Sequence, residues 1–186
     1  MFILDLATIN WKKVSLLCCW LILSSSFNTG ICADRETPDA LFHALKNAPD
    51  EASANRYANE IWRHWFESGD AAIDQLMQGA MRQRRSYDFA GAIETLSNVI
   101  ARDPAYAEAW NQRATVNFHQ GNYEASLEDI AKTLELEPRH FGALAGRAVI
   151  RLYQSKSALA LQNIIEAAKI HPYLKERAFF PGLLAE

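Results

Sequence analysis

Cysteine is scarce in this sequence, and it is confined to one end. Of the 186 residues only Cys18, Cys19 and Cys32 are cysteines. A chain cleaved after residue 33 would contain no cysteine. Such a chain would have no disulfide, no thiol chemistry and no cysteine-ligated metal.

The sequence also lacks a positive charge excess and recognisable catalytic motifs. Its net charge is −3, so it has no field of the kind that gives proteins non-specific affinity for nucleic acid. There is no G-x-S-x-G, H-E-x-x-H, P-loop or dinucleotide-binding glycine motif, and the five histidines lack metal-ligand spacing. We therefore expect a protein that is not an enzyme, holds no metal or cofactor and does not bind nucleic acid.

The N-terminal segment 1–33 has the order of regions found in a secretory signal peptide. A lysine pair ends at Lys13, an apolar run of about ten residues follows at 14–23, and Ala33 stands at the end of a polar stretch. The apolar run is shorter than the roughly 18–20 residues needed to span a bilayer. We expect cleavage near Ala33 and a periplasmic or secreted protein. The alternative is an uncleaved segment 1–33 that anchors the chain, and we expect membrane contact only through it.

A constant period organises the rest of the chain. Pro104, Pro138 and Pro172 follow one another at equal spacing, and two small residues precede each proline at offsets of 12 and 24. The small residues are Ala92, Ser126 and Ala160 at the first offset and Ala80, Ala114 and Ala148 at the second. Small residues at both positions let paired helices approach closely. A helix–turn–helix unit repeated at this period predicts a solenoid.

These spacings, with a period of about 34 residues, resemble the tetratricopeptide repeat family, in an exported bacterial form. The resemblance implies an all-α, right-handed superhelical solenoid of antiparallel helix pairs, with three clear repeats at 73–106, 107–140 and 141–174. Trp110 stands at the position of the large residue near the start of the first helix of the middle repeat. We expect it at the heart of that repeat, where its replacement by alanine would cost about 3–5 kcal/mol.

Segments outside the three repeats are expected to cover the ends of the solenoid. Residues 34–72 form a degenerate helix pair whose Trp62 and Trp65 share one helix face, and we expect them to cover the open end. The apolar segment 175–186 is expected to fold back as a cap on the last repeat. The alternative is that residues 178–186 dock a second chain.

The resemblance also implies a concave surface, lined by the first helix of each repeat, that binds a peptide or protein segment. Carried over by the repeat frame, the lining consists of Met77, Met81, Arg84, Arg85, Asn111, Thr115, Phe118, His119, Ala145, Val149, Leu152 and Tyr153. We expect Asn111 to hydrogen-bond to a partner backbone and Phe118 to supply buried area. If the frame is wrong by one residue, Phe118 and Leu152 turn inward instead. Family members that clamp a terminal carboxylate place lysine and asparagine at set positions, which this sequence fills differently.

Two arginines occupy a position where the family usually has leucine. Arg113 and Arg147 lie one repeat apart, and we expect each to lay its stem along the helix interface and pair with a carboxylate. The candidates are Glu124, Glu128 and Glu135. The preferred function is an adaptor that binds a protein segment in the groove. The alternative is a structural subunit of a larger envelope assembly, joined through its terminal apolar segments.

Overall fold

The computed structural model describes residues 37–181, and within this range the secondary structure is entirely helical. Eight α-helices follow one another: α1 (Pro38–Lys46), α2 (Glu51–Phe66), α3 (Ala71–Arg85), α4 (Phe89–Arg102), α5 (Ala107–His119), α6 (Tyr123–Leu136), α7 (Phe141–Tyr153) and α8 (Ser157–Ile170). A short 3-10 helix, Lys175–Phe179, comes last. The predicted signal segment, 1–33, lies outside the described residues.

The helices of the last three pairs keep the period of the sequence. The second helices begin at residues 89, 123 and 157, and the first helices end at residues 85, 119 and 153. The turn inside each pair has a residue with positive φ at the same place: Tyr87 (63°), Gly121 (76°) and Ser155 (59°). Only glycine adopts this conformation without a steric penalty. The pair of α3 and α4 departs slightly from this period at its start. Asp70 caps α3, and the helix begins at Ala71, two residues before the predicted start of the repeat.

Buried small residues hold the two helices of each pair together. Ala80, Ala114 and Ala148 are at most 2% exposed, and Ala92, Ser126 and Ala160 are at most 1% exposed. In the middle pair the Ser126 hydroxyl donates to the Ala114 carbonyl at 2.8 Å, so the side chain of α6 touches the backbone of α5. The predicted close approach at the two small positions is confirmed, and so is the all-α solenoid of helix pairs.

Trp110 is not at the heart of its repeat, contrary to the prediction. Its ring is only partly buried, and its indole N–H donates to the Pro104 carbonyl at 3.0 Å in an exposed hydrogen bond. The guanidinium of Arg113 lies over the ring, 5.0 Å from its centre. The indole therefore packs at the edge of the contact between α4 and α5.

The N-terminal helix pair packs on the third repeat, whereas the sequence predicted that its tryptophans cover the open end before the first. The Trp65 ring stacks on His140 with centroids 4.0 Å apart, and Trp62 meets Phe141 edge-on at 5.5 Å. A β-carbon at Gly142 would lie only 2.8 Å from the Trp62 ring, so glycine is needed for this contact. The apolar faces of α1 and α2 thus share one core with α7 and α8.

Residues 175–181 of the predicted capping segment pack on the last repeat through one of their two phenylalanines. Phe180 is 6% exposed and belongs to the core that α7 and α8 share with the N-terminal pair. Phe179, the residue before it, is 63% exposed. Residues 182–186, with the apolar Leu183 and Leu184, lie outside the described part of the chain.

Both repeated arginines form the predicted ion pairs, but with other partners. Arg113 binds Asp129 through two hydrogen bonds of 2.7 and 3.0 Å, and Arg147 binds Glu166 at 3.0 Å. Each carboxylate lies on the second helix of the arginine's own repeat, α6 or α8. The candidates Glu124, Glu128 and Glu135 were wrong for these pairs, since they face other directions around α6.

Candidate partner-binding groove

An open cavity of about 250 Å³ lies between α5 and α7, the first helices of the second and third repeats. Ala114 on one side and Gly142, Ala143 and Gly146 on the other leave space because their side chains are small or absent. A β-carbon at Gly146 would have a single neighbour within 4 Å, the Ile130 side chain at 3.7 Å. The predicted groove residues that line the cavity are Asn111, Thr115, Phe118, His119 and Val149.

Beside this cavity a buried polar network connects α5 with the start of α7. Glu108 is 1% exposed, and its carboxylate accepts hydrogen bonds from the side-chain amides of Asn111 and Gln112. His140, which is fully buried, lies 2.9 Å from the same carboxylate. Arg84 reaches the network from α3 by donating to the side-chain amide oxygen of Gln112 at 2.8 Å. Burial lowers the pKa of Arg84, and the negative charge of Glu108 opposes this shift.

The hydrogen bonds of His140 fix its tautomer. Its Nδ1 accepts the backbone N–H of Ala143 at 3.1 Å and so caps α7. Because Nδ1 is an acceptor, the proton of the neutral ring is on Nε2, which donates to Glu108. The Trp65 ring stacks on the same imidazole. His140 therefore holds three elements together: α2, α5 and α7.

Asn111 is a correction to the predicted groove. Its side chain is 6% exposed and its amide nitrogen donates to Glu108 on its own helix, so this donor is not free to bind a partner backbone. Neither Glu108 nor His140 was recognised in the sequence. An acid in the first turn of a helix ordinarily interacts with the helix dipole, and histidine is not among the preferred capping residues, so neither residue carried a signal.

The methionines at the basic end of the predicted groove are also core residues. Met77 is 1% exposed and Met81 is 8% exposed, and both pack in the core between α3, α4 and α5. Arg84 is occupied by Gln112, so only Arg85 of the predicted residues at this end is exposed. Arg85 borders an open depression that Met77, Met81 and Arg82 also line.

The groove residues predicted at the end of α7 separate into two kinds. Leu152 is partly buried, packs against the core of α7 and α8 and does not line the cavity. Ala145 is 2% exposed and belongs to the same core. Tyr153, in contrast, is 64% exposed and contacts Phe118 across the repeat boundary, with ring centroids 5.7 Å apart.

Residues 37–181 contain no group of three or more His, Cys, Asp or Glu side chains placed to hold a metal ion. Among the helices of this range, none has both the length and the apolar character that crossing a membrane requires.

Helix pairs repeated at a constant period, with a cavity between successive first helices, define a helical-repeat solenoid. The family model for the tetratricopeptide repeat matches residues 107–140. A TPR repeat-containing protein of Rhizobium etli is 44% identical over 89 residues, which are 48% of this chain and 44% of that protein. The chain thus spans less than half the length of this relative. The segment 107–140 thus matches a tetratricopeptide repeat, and the helix pairs described above, together with these matches, support a protein of the tetratricopeptide repeat family.

Solved structures with the same fold are more distant in sequence. The first TPR domain of Spaghetti (RPAP3), bound to the HSP90 peptide SRMEEVD, has a TM-score of 0.57 and 16% identity over 61% of this chain and 94% of that one. MamA has a TM-score of 0.51 and 16% identity over 74% and 80%. The TPR2AB domain of yeast Sti1 in its pHSP90 complex has a TM-score of 0.51 and 15% identity over 80% and 57%. At this level of identity the likeness concerns the fold alone.

Proposed function

We propose that the protein is a non-enzymatic interaction module that binds a segment of another protein in the cavity between α5 and α7. The observation that carries the proposal is the cavity itself, an open space of about 250 Å³ next to Phe118 and Val149. A site of this size and lining suits one bulky apolar side chain of a partner segment. Two of the similar solved structures are complexes with HSP90 or its peptide, which supports peptide binding as a use of this fold.

A negative charge at the rim of the cavity favours a partner segment that carries a positive charge. Glu176, from the C-terminal 3-10 helix, borders the cavity and has no ion-pair partner within the described range. A basic residue beside the apolar anchor of the partner would pair with this carboxylate. The preferred segment therefore combines one large apolar side chain with a neighbouring lysine or arginine.

Replacing Gly146 by leucine tests this proposal. A leucine there projects into the cavity, and it also removes a glycine from the middle of a helix, which favours folding by up to about 1 kcal/mol. Peptides selected from a random library on the wild-type chain are measured by fluorescence polarisation against both proteins. We expect the Gly146→Leu protein to bind them at least tenfold more weakly while its melting temperature is equal or higher.

Gly79 provides the matched control. It lies within α3, away from the cavity, and a β-carbon there would have only the Arg82 guanidinium nearby, at 3.8 Å. Gly79→Leu makes the same chemical change and is expected to leave peptide affinity as in the wild type. If both leucine variants bind the selected peptides as the wild type does, the cavity is not the binding site.

A second function, as a subunit of a larger assembly, is favoured by one observation. Leu159 and Leu161 on α8 and Phe179 of the 3-10 helix are 47%, 42% and 63% exposed. Phe180 is buried, so it is unavailable for the terminal docking predicted from the sequence. Sedimentation velocity separates the two functions. If wild-type protein forms oligomers that Leu161→Lys dissociates, the assembly function is supported.

A further inference from the structure

A stacked pair of aromatic rings occurs at the same place in two successive repeat boundaries. Phe89 and Tyr123 are the first residues of second helices, and His119 and Tyr153 are the last residues of first helices. The two members of each set are one repeat apart. Phe89 stacks on His119 with centroids 5.9 Å apart and an interplanar angle of 6°, and Tyr123 stacks on Tyr153 at 5.7 Å and 30°.

Two further rings make these pairs into one continuous row. Phe118 contacts His119 at 5.8 Å, Tyr123 at 5.8 Å and Tyr153 at 5.7 Å, and so joins the two stacked pairs. Tyr87 extends the row beyond Phe89, at 5.9 Å. The row, which we name the aromatic edge, consists of Tyr87, Phe89, Phe118, His119, Tyr123 and Tyr153. It follows the turns within the pairs across three repeats.

The aromatic edge exposes hydrogen-bond donors as well as rings. Tyr87 is 81% exposed and Tyr153 is 64% exposed. The hydroxyls of Tyr87, Tyr123 and Tyr153 and the ring nitrogens of His119 form no hydrogen bond with other groups of residues 37–181. This surface therefore suits a ligand that is apolar, rich in acceptors and poor in donors.

A cation lies beyond each end of the aromatic edge in the sequence. Arg85, two residues before Tyr87, and Lys156, three residues after Tyr153, are exposed and take part in no ion pair in the described part of the chain. The nearest acids, Asp88 and Glu124, accept hydrogen bonds from the backbone N–H of Gly91 and from a glutamine amide and keep their negative charge, but in sequence they lie between members of the row and not beyond its ends. A ligand with negative charge at its ends is therefore favoured.

We propose that the aromatic edge binds a proline-rich segment of another protein, in polyproline II conformation and flanked by acidic residues. Proline has no N–H, and the carbonyls of this conformation have no internal partner, so the segment accepts the donors that the edge offers. Aromatic-lined surfaces are the usual docking sites for such segments. One turn of the segment advances about 9 Å, so successive turns would meet successive rings along the row.

This site is separate from the cavity between α5 and α7. Phe118 and His119 border both sites, whereas Phe89, Tyr123 and Tyr153 do not line the cavity. The proposal therefore does not depend on the proposed function, and variants at Tyr123 and Tyr153 test the aromatic edge alone.

The test uses a fluorescein-labelled peptide of nine prolines with two glutamates at each end, titrated with the full-length chain by fluorescence polarisation. Saturable binding is expected. Tyr153→Ala and Tyr123→Ala together should weaken it by about tenfold or more, the loss typical of truncating a central aromatic contact. Circular dichroism checks that the double variant is folded. Phe179→Ala, which removes an exposed aromatic ring elsewhere, should leave the affinity unchanged.

Two further measurements distinguish the proposed acidic, proline-rich segment from other ligands. A peptide in which lysines replace the glutamates should bind more weakly at low salt, because it meets Arg85 and Lys156. The Gly146→Leu protein should bind the oligoproline peptide as the wild type does. The proposal is overturned if the peptide fails to bind, if the tyrosine double variant binds it unchanged, or if Gly146→Leu abolishes binding. It is also overturned if a chitin oligosaccharide, rather than oligoproline, shows binding that requires the tyrosines.

Discussion

Replacing His140 by alanine probes the contact by which the N-terminal pair is held on the third repeat. The imidazole is completely buried and makes three contacts that alanine cannot make. It caps α7 through Nδ1, donates to the Glu108 carboxylate through Nε2 and stacks on Trp65. A loss of His140 thus affects one helix end, one buried charge and one aromatic contact together.

The expected cost of His140→Ala follows from these contacts. Loss of a helix N-cap costs about 1 kcal/mol. Loss of a hydrogen bond to a buried charged group costs about 1.5–3 kcal/mol, and an aromatic stack adds about 0.5–1.5 kcal/mol. We therefore expect the free energy of unfolding to fall by about 3–5 kcal/mol. His140→Asn keeps a capping side chain and should recover about 1 kcal/mol of this loss.

Urea denaturation followed by circular dichroism at 222 nm measures the effect. His43→Ala is the matched control, because His43 is exposed on α1 and its replacement should change stability by less than about 0.5 kcal/mol. A loss below about 1 kcal/mol in His140→Ala would show that the network of His140, Glu108 and Trp65 does not hold the pair in place.

Four other results are expected. Burial lowers the pKa of His171 from 6.5 to about 4. As the pH falls, the imidazole of His171 is therefore protonated in the unfolded chain before it is protonated in the folded chain. The free energy of unfolding should fall as pH drops from about 6.5 to about 4, and His171→Asn, compared by urea titration at each pH, should show a smaller fall. Trp110→Ala should cost about 1–2 kcal/mol instead of the roughly 3–5 predicted for a central residue, and a larger loss in urea titration would contradict the partly buried position of its ring. Ser155→Gly should stabilise the chain by about 0.5–1 kcal/mol because Ser155 has a φ of 59°, and an unchanged melting temperature would argue against this strain. Mass spectrometry of protein from its own host should find an N-terminus near Asp34; intact protein in the cytosol would refute export.

The repeat period was sufficient to predict the local architecture. Positions one period apart, such as Ala114 and Ala148, have the same surroundings in successive repeats, so pattern and structure agree at the buried small residues. The ion pairs of the two arginines show what the repeat period could not predict. The position of Arg113 predicted an ion pair, but the carboxylate that meets it depends on the rotation of α6, and Asp129 faces α5.

The predicted groove was only partly right for a related reason. The repeat frame correctly predicted that Thr115, Phe118 and Val149 line a common surface, because all three lie on the first helices of their repeats. It did not predict that Asn111 would be turned to Glu108. That contact belongs to a network completed by His140, and no period in the sequence connects the members of this network.

The sequence by itself determined the helix pairs, their turns and their close approach, because these depend on residues at most one repeat apart. Only the tertiary structure decided where the N-terminal pair docks. Trp65 meets His140 and Trp62 meets Gly142, although two whole repeats separate these partners along the chain. Such contacts depend on shape, on the missing side chain of a glycine and on the burial of one neutral imidazole against one carboxylate. These properties cannot be predicted from residue type and spacing, because they arise only when the helices are packed together.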